Sequence, residues 1–152
     1  MIGDVIGKPG RKALDPVLST LRRELELDLV IANGENIAGG FGLTVDTVQE
    51  LLDSGVDVIT SGNHVWAQKE FIPFLDEGLP VIRPANYPPR APGRGHMVMK
   101  DVLVVNLMGR TFMSPIDCPF RTADQILAEA RGDGSPKIII VDIHAEATSE
   151  KQ

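Results

Sequence analysis

The segment Ile59-Thr60-Ser61-Gly62-Asn63-His64-Val65-Trp66 sets an apolar run, Val56 to Ile59, against a glycine and then an Asn-His pair. Core packing has no use for a carboxamide beside an imidazole. One amide oxygen and one imidazole can, however, bind a cation or move a proton. The same kind of junction recurs along the chain. Met1-Ile2-Gly3 ends on Asp4, Leu29–Ala32 ends on Asn33-Gly34-Glu35-Asn36, Val102–Val105 leads into Asn106 and then Gly109-Arg110, and Ile138–Val141 ends on Asp142 and His144. In open α/β sheets, ligands gather beyond the carboxyl ends of the strands. Strands running parallel would therefore bring Asp4, Glu35, Asn63, His64 and His144 to one edge. Two carboxylates, an amide oxygen and imidazole nitrogen are hard-to-borderline donors suited to Mn, Fe or Zn. A carboxylate can also bridge two such ions ~3.5–4 Å apart.

Taken singly, each residue has a plainer reading. Asp4 can be a turn-forming aspartate, Glu35-Asn36 a loop bonding its own backbone, and Gly62-Asn63-His64 a turn around a satisfied histidine. The last is weakened by the cost of burying Asn-His at a strand end without partners. His144 alone is ambiguous, and His96 reads as a surface residue at the start of a strand. Trp66, Phe71 and the scattered methionines read as packing, and Cys118 as structural. Two motif echoes fail. Gly3–Gly10 is one residue short of a phosphate-cradling loop and places Pro9 where a hydroxyl is needed. His144-Ala145-Glu146 lacks the cysteine pair of a zinc deaminase.

Elements that could position these groups are legible. Leu29–Ala32, Val56–Ile59, Val102–Leu107 and Lys137–Ile143 read as buried strands. Ala13–Glu26 has helical spacing with Pro16 in its first turns, and Thr44–Ser54 reads as a helix capped by Thr44 and stopped by Gly55. Gln68–Asp76 and Ala123–Arg131 are shorter helices, the second capped by Thr122. His96–Leu107 reads as two antiparallel strands turning at Lys100-Asp101. The proline-rich Arg83–Gly95 reads as a long ordered loop. The order implies one domain with a mixed, mainly parallel α/β sheet.

With 152 residues, 43% of them apolar, the chain is sized for one core. Its net charge of −6 and the absence of a basic run interleaved with aromatics exclude extended nucleic-acid binding. One cysteine excludes an internal disulfide framework and suits a reducing cytoplasm. No apolar run is long enough to cross a bilayer.

The stretches "GDVIGKPGRKAL" (Gly3–Leu14), "DLVIANGENIAGGFGLT" (Asp28–Thr44), "GVDVITSGNHVW" (Gly55–Trp66) and "RPANYPP" (Arg83–Pro89) resemble the calcineurin-like metallophosphoesterases, specifically their YmdB-type bacterial branch. "NLMGRTFM" (Asn106–Met113), "DCPFRTAD" (Asp117–Asp124) and "VDIHAEATSEK" (Val141–Lys151) extend the likeness over nearly the whole chain in the family's order. The resemblance implies a four-layer α-β-β-α sandwich of mixed, largely parallel sheets. It also implies two metal ions, Fe or Mn before Zn, and small cyclic nucleotides, notably 2′,3′-cyclic ones, as substrates. Carried over by position, Asp4 and Asn36 match ligands of the first metal, Glu35 the bridging carboxylate, and Asn63 and His144 ligands of the second. His64 matches the donor of a proton to the leaving oxygen, with a metal-bound hydroxide as nucleophile.

Val5-Ile6 stand after Asp4 where the wider superfamily has D-x-H, a departure the YmdB-type branch shares. The resemblance also leads us to expect portions missing at both ends, including a His-x-His segment beyond the match to His144. The expected protein is a cytoplasmic enzyme, off the membrane, with homo-oligomerisation compatible. A phosphomonoesterase, or a regulatory nucleotide-binding module with an incomplete site, is the alternative. Thr44, Arg83, Asn86, Arg110 and Arg121 could touch phosphate or base, though loop bonding or surface charge explains each equally well.

Overall fold

The computed structural model describes residues 1–132 and 134–152. In chain order it forms α1 (Gly7–Glu24), β1 (Ile31–Asn33), α2 (Val45–Asp53), β2 (Val58–Thr60), a 3₁₀ helix (Lys69–Asp76), β3 (His96–Met99), β4 (Val102–Met108), α3 (Pro119–Glu129), β5 (Ile138–His144) and α4 (Thr148–Lys151).

The strands fall into two sheets, where the residue pattern had implied one. β1 and β2 pair in parallel, and single parallel bridges at Ile2 and Val81 extend them on either side. β4 is central to the second sheet, antiparallel to β3 and parallel to β5. Side-chain alternation explains the division. Ile31 and Val58 meet Val102 and Val104 in one cluster, so the two sheets face each other. Ala32 and Ile59 turn the other way, onto Leu18 of α1, Val48 and Leu51 of α2, and Phe71 and Leu75 of the 3₁₀ helix. Leu103, Val105 and Leu107 of β4 turn from the first sheet onto Ile126 of α3. Strands that are apolar on both faces need cover on both, and two facing sheets supply it.

Several local expectations need correction. The first helix begins at Gly7 rather than Ala13, which puts Pro16 in mid-helix on the solvent side, where a carbonyl left without its N–H partner can meet water. The segment 69–76 is 3₁₀ and contains Pro73. The helix expected from Ala123 starts at Pro119, so Thr122 lies inside it and Cys118 stands at the cap. Proline at the first helical position has its φ already set for the helix. β5, expected to be buried, is an edge strand, with Ile138, Ile139 and Val141 exposed by 56%, 49% and 45%. The hairpin forms as its residues indicate. Lys100 and Asp101 take φ of 51° and 64°, the left-handed pair that a two-residue turn between twisted strands requires.

Three of the residues that could touch substrate are engaged in bonds within the fold. Thr44 forms a reciprocal cap with Thr47 at the start of α2. The buried Arg83 guanidinium donates to the carbonyls of Pro84, Ala91 and Gly93, which orders the proline-rich loop. Asn86 donates to the Met108 and Asp117 carbonyls and accepts from the Met108 amide. Arg110 and Arg121 are exposed. Among the described residues no helix is long and apolar enough to cross a membrane.

Asp57, just before β2, joins the two sheets at their other end. It accepts from the Val30 amide (2.8 Å), from Arg22 (2.9 Å) and from Lys100 in the β3–β4 turn (3.2 Å). Burial pushes its carboxyl up, but the bonds from Arg22, Val30 and Lys100 outweigh burial and hold it below the ordinary 3.8. A folded value below the unfolded one means stabilisation that is complete above that ordinary value and lost as pH falls through the folded one. Asp57→Ala should therefore cost roughly 2 kcal/mol at pH 7. The cost should shrink below the ordinary carboxyl value, as urea unfolding across pH would show.

Candidate functional site

The site begins where β1 and β2 end. Gly34 makes the turn after β1: a Cβ there would lie 2.7 Å from Ile59 Cγ2, and its N–H donates to the Thr60 carbonyl at 2.9 Å. That turn carries Glu35 and Asn36 inward, to 3% and 9% exposure. After β2, the Ser61 carbonyl accepts from the buried amides of Asn33 (3.3 Å) and Asn106 (2.8 Å). These bonds set the departure of Gly62-Asn63-His64. From the second sheet, Asp142 on β5 accepts from the Thr60 hydroxyl at 2.5 Å, and the Gly109 amide donates to the His144 carbonyl at 2.8 Å. His144 is thereby held against the end of β2.

Two short chains of contacts result, and Asn36 links them. Its Nδ2 donates to Asp4 Oδ2 at 2.8 Å and reaches Glu35 Oε1 at 3.5 Å, while its Oδ1 lies 2.7 Å from His64 Nδ1. A carboxylate only accepts, so Asp4 requires the NH₂ face of the amide. The oxygen is left for His64, and Nδ1 must then be the protonated nitrogen. The neutral imidazole keeps its lone pair on Nε2. The second chain is Glu35 Oε1 to His144 Nδ1, at 3.2 Å.

Glu35 Oε2 is buried and has no hydrogen-bond partner among the described residues. Gly62 makes that placement possible, since a Cβ there would sit 2.1 Å from Oε2 and 2.8 Å from His144 Cγ. Burial is the main influence on this carboxyl and pushes it above its ordinary 4.5. His144, His64 and the His64 amide pull it down without cancelling that push, and Asp4 reinforces it. The phenol of nearby Tyr87 is also pushed up, by burial first and by Glu35 second.

The structure thus connects Asp4, Glu35, Asn36, His64 and His144. Asn63 is exposed and adjoins them through the chain. Among the described residues no three His, Cys, Asp or Glu side chains form a ready cation cage. Donors come instead as carboxylate–imidazole and carboxylate–amide pairs. Beside Asp4 an open cavity of about 660 Å³ is lined by Ile6, Lys8, Pro9 and the Gly39-Gly40 turn. Sequence reasoning missed Tyr87, the Thr60–Asp142 bond, and Phe41, whose ring lies 4.2 Å from the His64 ring between centroids. An aromatic placed among glycines was the one available signal for the last.

The family model described as "YmdB-like protein" matches residues 1–152. The chain belongs to the YmdB-like family. It is 46% identical to a Bacillus subtilis (strain 168) protein named 2′,3′-cyclic-nucleotide 2′-phosphodiesterase, over 99% of this chain and 58% of that one. A crystal structure of a hypothetical protein from Thermus thermophilus superposes with a TM-score of 0.87 at 45% identity, covering 98% of this chain and 58% of the other. One described as a novel phosphatase, from Mycoplasma pneumoniae, superposes at 0.86 and 33% identity, covering 98% and 55%. The chain spans a little over half the length of these relatives.

Because the folded value of Glu35 lies above its ordinary one, ionising it subtracts stability as pH rises from 4.5 through the folded value. With a chelator present at pH 7, Glu35→Gln should melt higher than wild type by roughly 2–4 °C, the shift that ~1 kcal/mol makes in a chain of this size. The gap should close as pH falls towards the ordinary glutamate value, which thermal scans would read.

Proposed function

We propose that these residues form the catalytic core of a metal-dependent phosphodiesterase acting on small cyclic nucleotides of the 2′,3′ type. The observation that carries the reading is the buried Glu35 Oε2, without a partner among the described residues, on a carboxylate whose Oε1 meets the Asn36 amide and the His144 imidazole, with Asp4 and His64 joined to it through Asn36. Asp4 and Glu35 together would repel a phosphoester anion. A cation between them turns the same two groups into its anchor. The named activity of the Bacillus subtilis relative supports the substrate class. Three apolar clusters, between α1–α2 and the first sheet, between the sheets, and between the second sheet and α3, support a four-layer α-β-β-α sandwich forming one domain.

The donor set suits two ions, Fe or Mn before Zn, which Asp4, Glu35, Asn36, Asn63 and His144 would hold, Asn36 through the second lone pair of the amide oxygen that faces His64. When bound, such ions supply positive charge to the phosphoryl oxygens and make a water nucleophilic at neutral pH. The chain's own residues do the rest. Asn36 fixes the imidazole through Nδ1, so that the ring, when protonated at Nε2 as well, gives that second proton to the departing ribose oxygen and returns to the Nδ1–H tautomer. The Glu35 carboxylate and Asn36 amide hold His144 and His64 at opposite ends of one polar cluster, so donors and acid keep their spacing. The acidic balance of the chain suits a small substrate gripped at one point better than a polyanion tracked along a groove.

In the full protein, His64→Ala should lower turnover of a 2′,3′-cyclic nucleotide by about 10²–10⁴-fold, the usual worth of a general acid. Metal content measured by elemental analysis should stay unchanged. Unaltered turnover would remove His64 from the reaction. Hydrolysis of phosphomonoesters at the same site, with diesters untouched, would replace the substrate class.

A further inference from the structure

We propose that Phe41 is a positioning residue for His64, its ring serving as the side wall that holds the imidazole in line with Asn36. The inference rests on the function proposed above for the imidazole, but its geometry stands alone. The two rings meet at 4.2 Å between centroids, tilted by 46°. Phe41 remains 52% exposed, so burial in a core does not account for its position.

The loop that presents it is built tightly. Gly39, Gly40 and Gly42 have φ of 68°, 95° and 84°, conformations that side-chain-bearing residues adopt only with strain. A Cβ at Gly42 would meet Gln68 Cγ at 2.9 Å and Ala67 Cβ at 3.0 Å. The Gly42 amide donates to the Glu35 carbonyl at 2.7 Å, the Gly40 amide to that of Asn36 at 3.1 Å, and Gln68 Nε2 to that of Phe41 at 2.7 Å. Ala67 in turn donates its N–H to the His64 carbonyl at 2.9 Å. The loop is therefore bolted both to the segment carrying Glu35 and Asn36 and to the turn carrying His64. Its one large side chain lies on the imidazole.

A single hydrogen bond at Nδ1 fixes one atom of the ring but leaves the plane free to swing about it. A second, apolar contact against the tilted ring restricts that swing. Proton transfer depends steeply on such alignment. A ring wall also suits the task because it has no donor or acceptor to compete for Nε2.

The test uses the full protein. Phe41→Ala should lower kcat about tenfold on a 2′,3′-cyclic nucleotide and on bis-p-nitrophenyl phosphate alike, with KM, metal content and thermal midpoint unchanged. Phe41→Leu, which keeps part of the apolar contact and adds no donor or acceptor, should fall between Phe41→Ala and wild type. In ¹⁵N-labelled, chelator-treated protein, the His64 Nδ1–H should exchange with water at least tenfold faster in Phe41→Ala. That measurement needs no turnover, so it tests the wall even if the hydrolase reading fails. Unchanged exchange would overturn the proposal. So would a rise in KM confined to the nucleotide, which would make Phe41 a surface for the base rather than a support for His64.

Discussion

A carboxylate oxygen buried without a partner among the described residues is the constraint around which the rest of this molecule is arranged. Glu35 Oε2 sits in a space that exists because residue 62 lacks a side chain. Burial holds its proton more firmly than water would. Isolated in a folded chain, such a group lowers stability, and native proteins keep few of them. Its neighbours make sense as a response. Imidazoles of His64 and His144 lie close enough to ease the charge, and Asn36 spans Asp4 and His64. The cost of the arrangement falls away when positive charge arrives, which is why the same cluster reads as a place to hold it.

Delivering those groups needs both sheets. Glu35, Asn36 and His64 follow β1 and β2, while His144 ends β5 of the other sheet. The apolar contact between sheets, Ile31 and Val58 against Val102 and Val104, sets the spacing but has no directional content. Register comes from polar bonds at the strand ends. Thr60 to Asp142, and Asn33 and Asn106 to the Ser61 carbonyl, sit on the site side, and Asp57 with Arg22 and Lys100 sits on the far side. A small slip between the sheets would break these bonds before it exposed much apolar surface. The hydrogen bonds therefore place His144 more sharply than the hydrophobic contact could.

The orientation of His64 shows how little freedom remains once those ends are set. The Asp4 carboxylate dictates which face of the Asn36 amide it meets, the amide then dictates the tautomer of His64, and the glycine-rich loop lays Phe41 on the ring. Each link is local, and each depends on a neighbour from a different part of the chain.

Residue types and their order determined which groups could do chemistry and which segments would carry them. Asp4, Glu35, Asn36, Asn63, His64 and His144 stand at strand ends because apolar runs stop there, and that pattern needs only neighbours in sequence. The Lys100-Asp101 turn was legible for the same reason, since left-handed turn chemistry is local. The family likeness already implied two facing sheets, but the tertiary structure alone decided which strand falls in which sheet, that β5 is an edge, and that Thr44, Arg83 and Asn86 are engaged in cap and loop bonds. It also decided that Phe41 and Tyr87 stand beside the polar cluster. Those outcomes depend on which surfaces meet across tens of residues, and alternation along one strand shows that a face must be covered without naming what covers it.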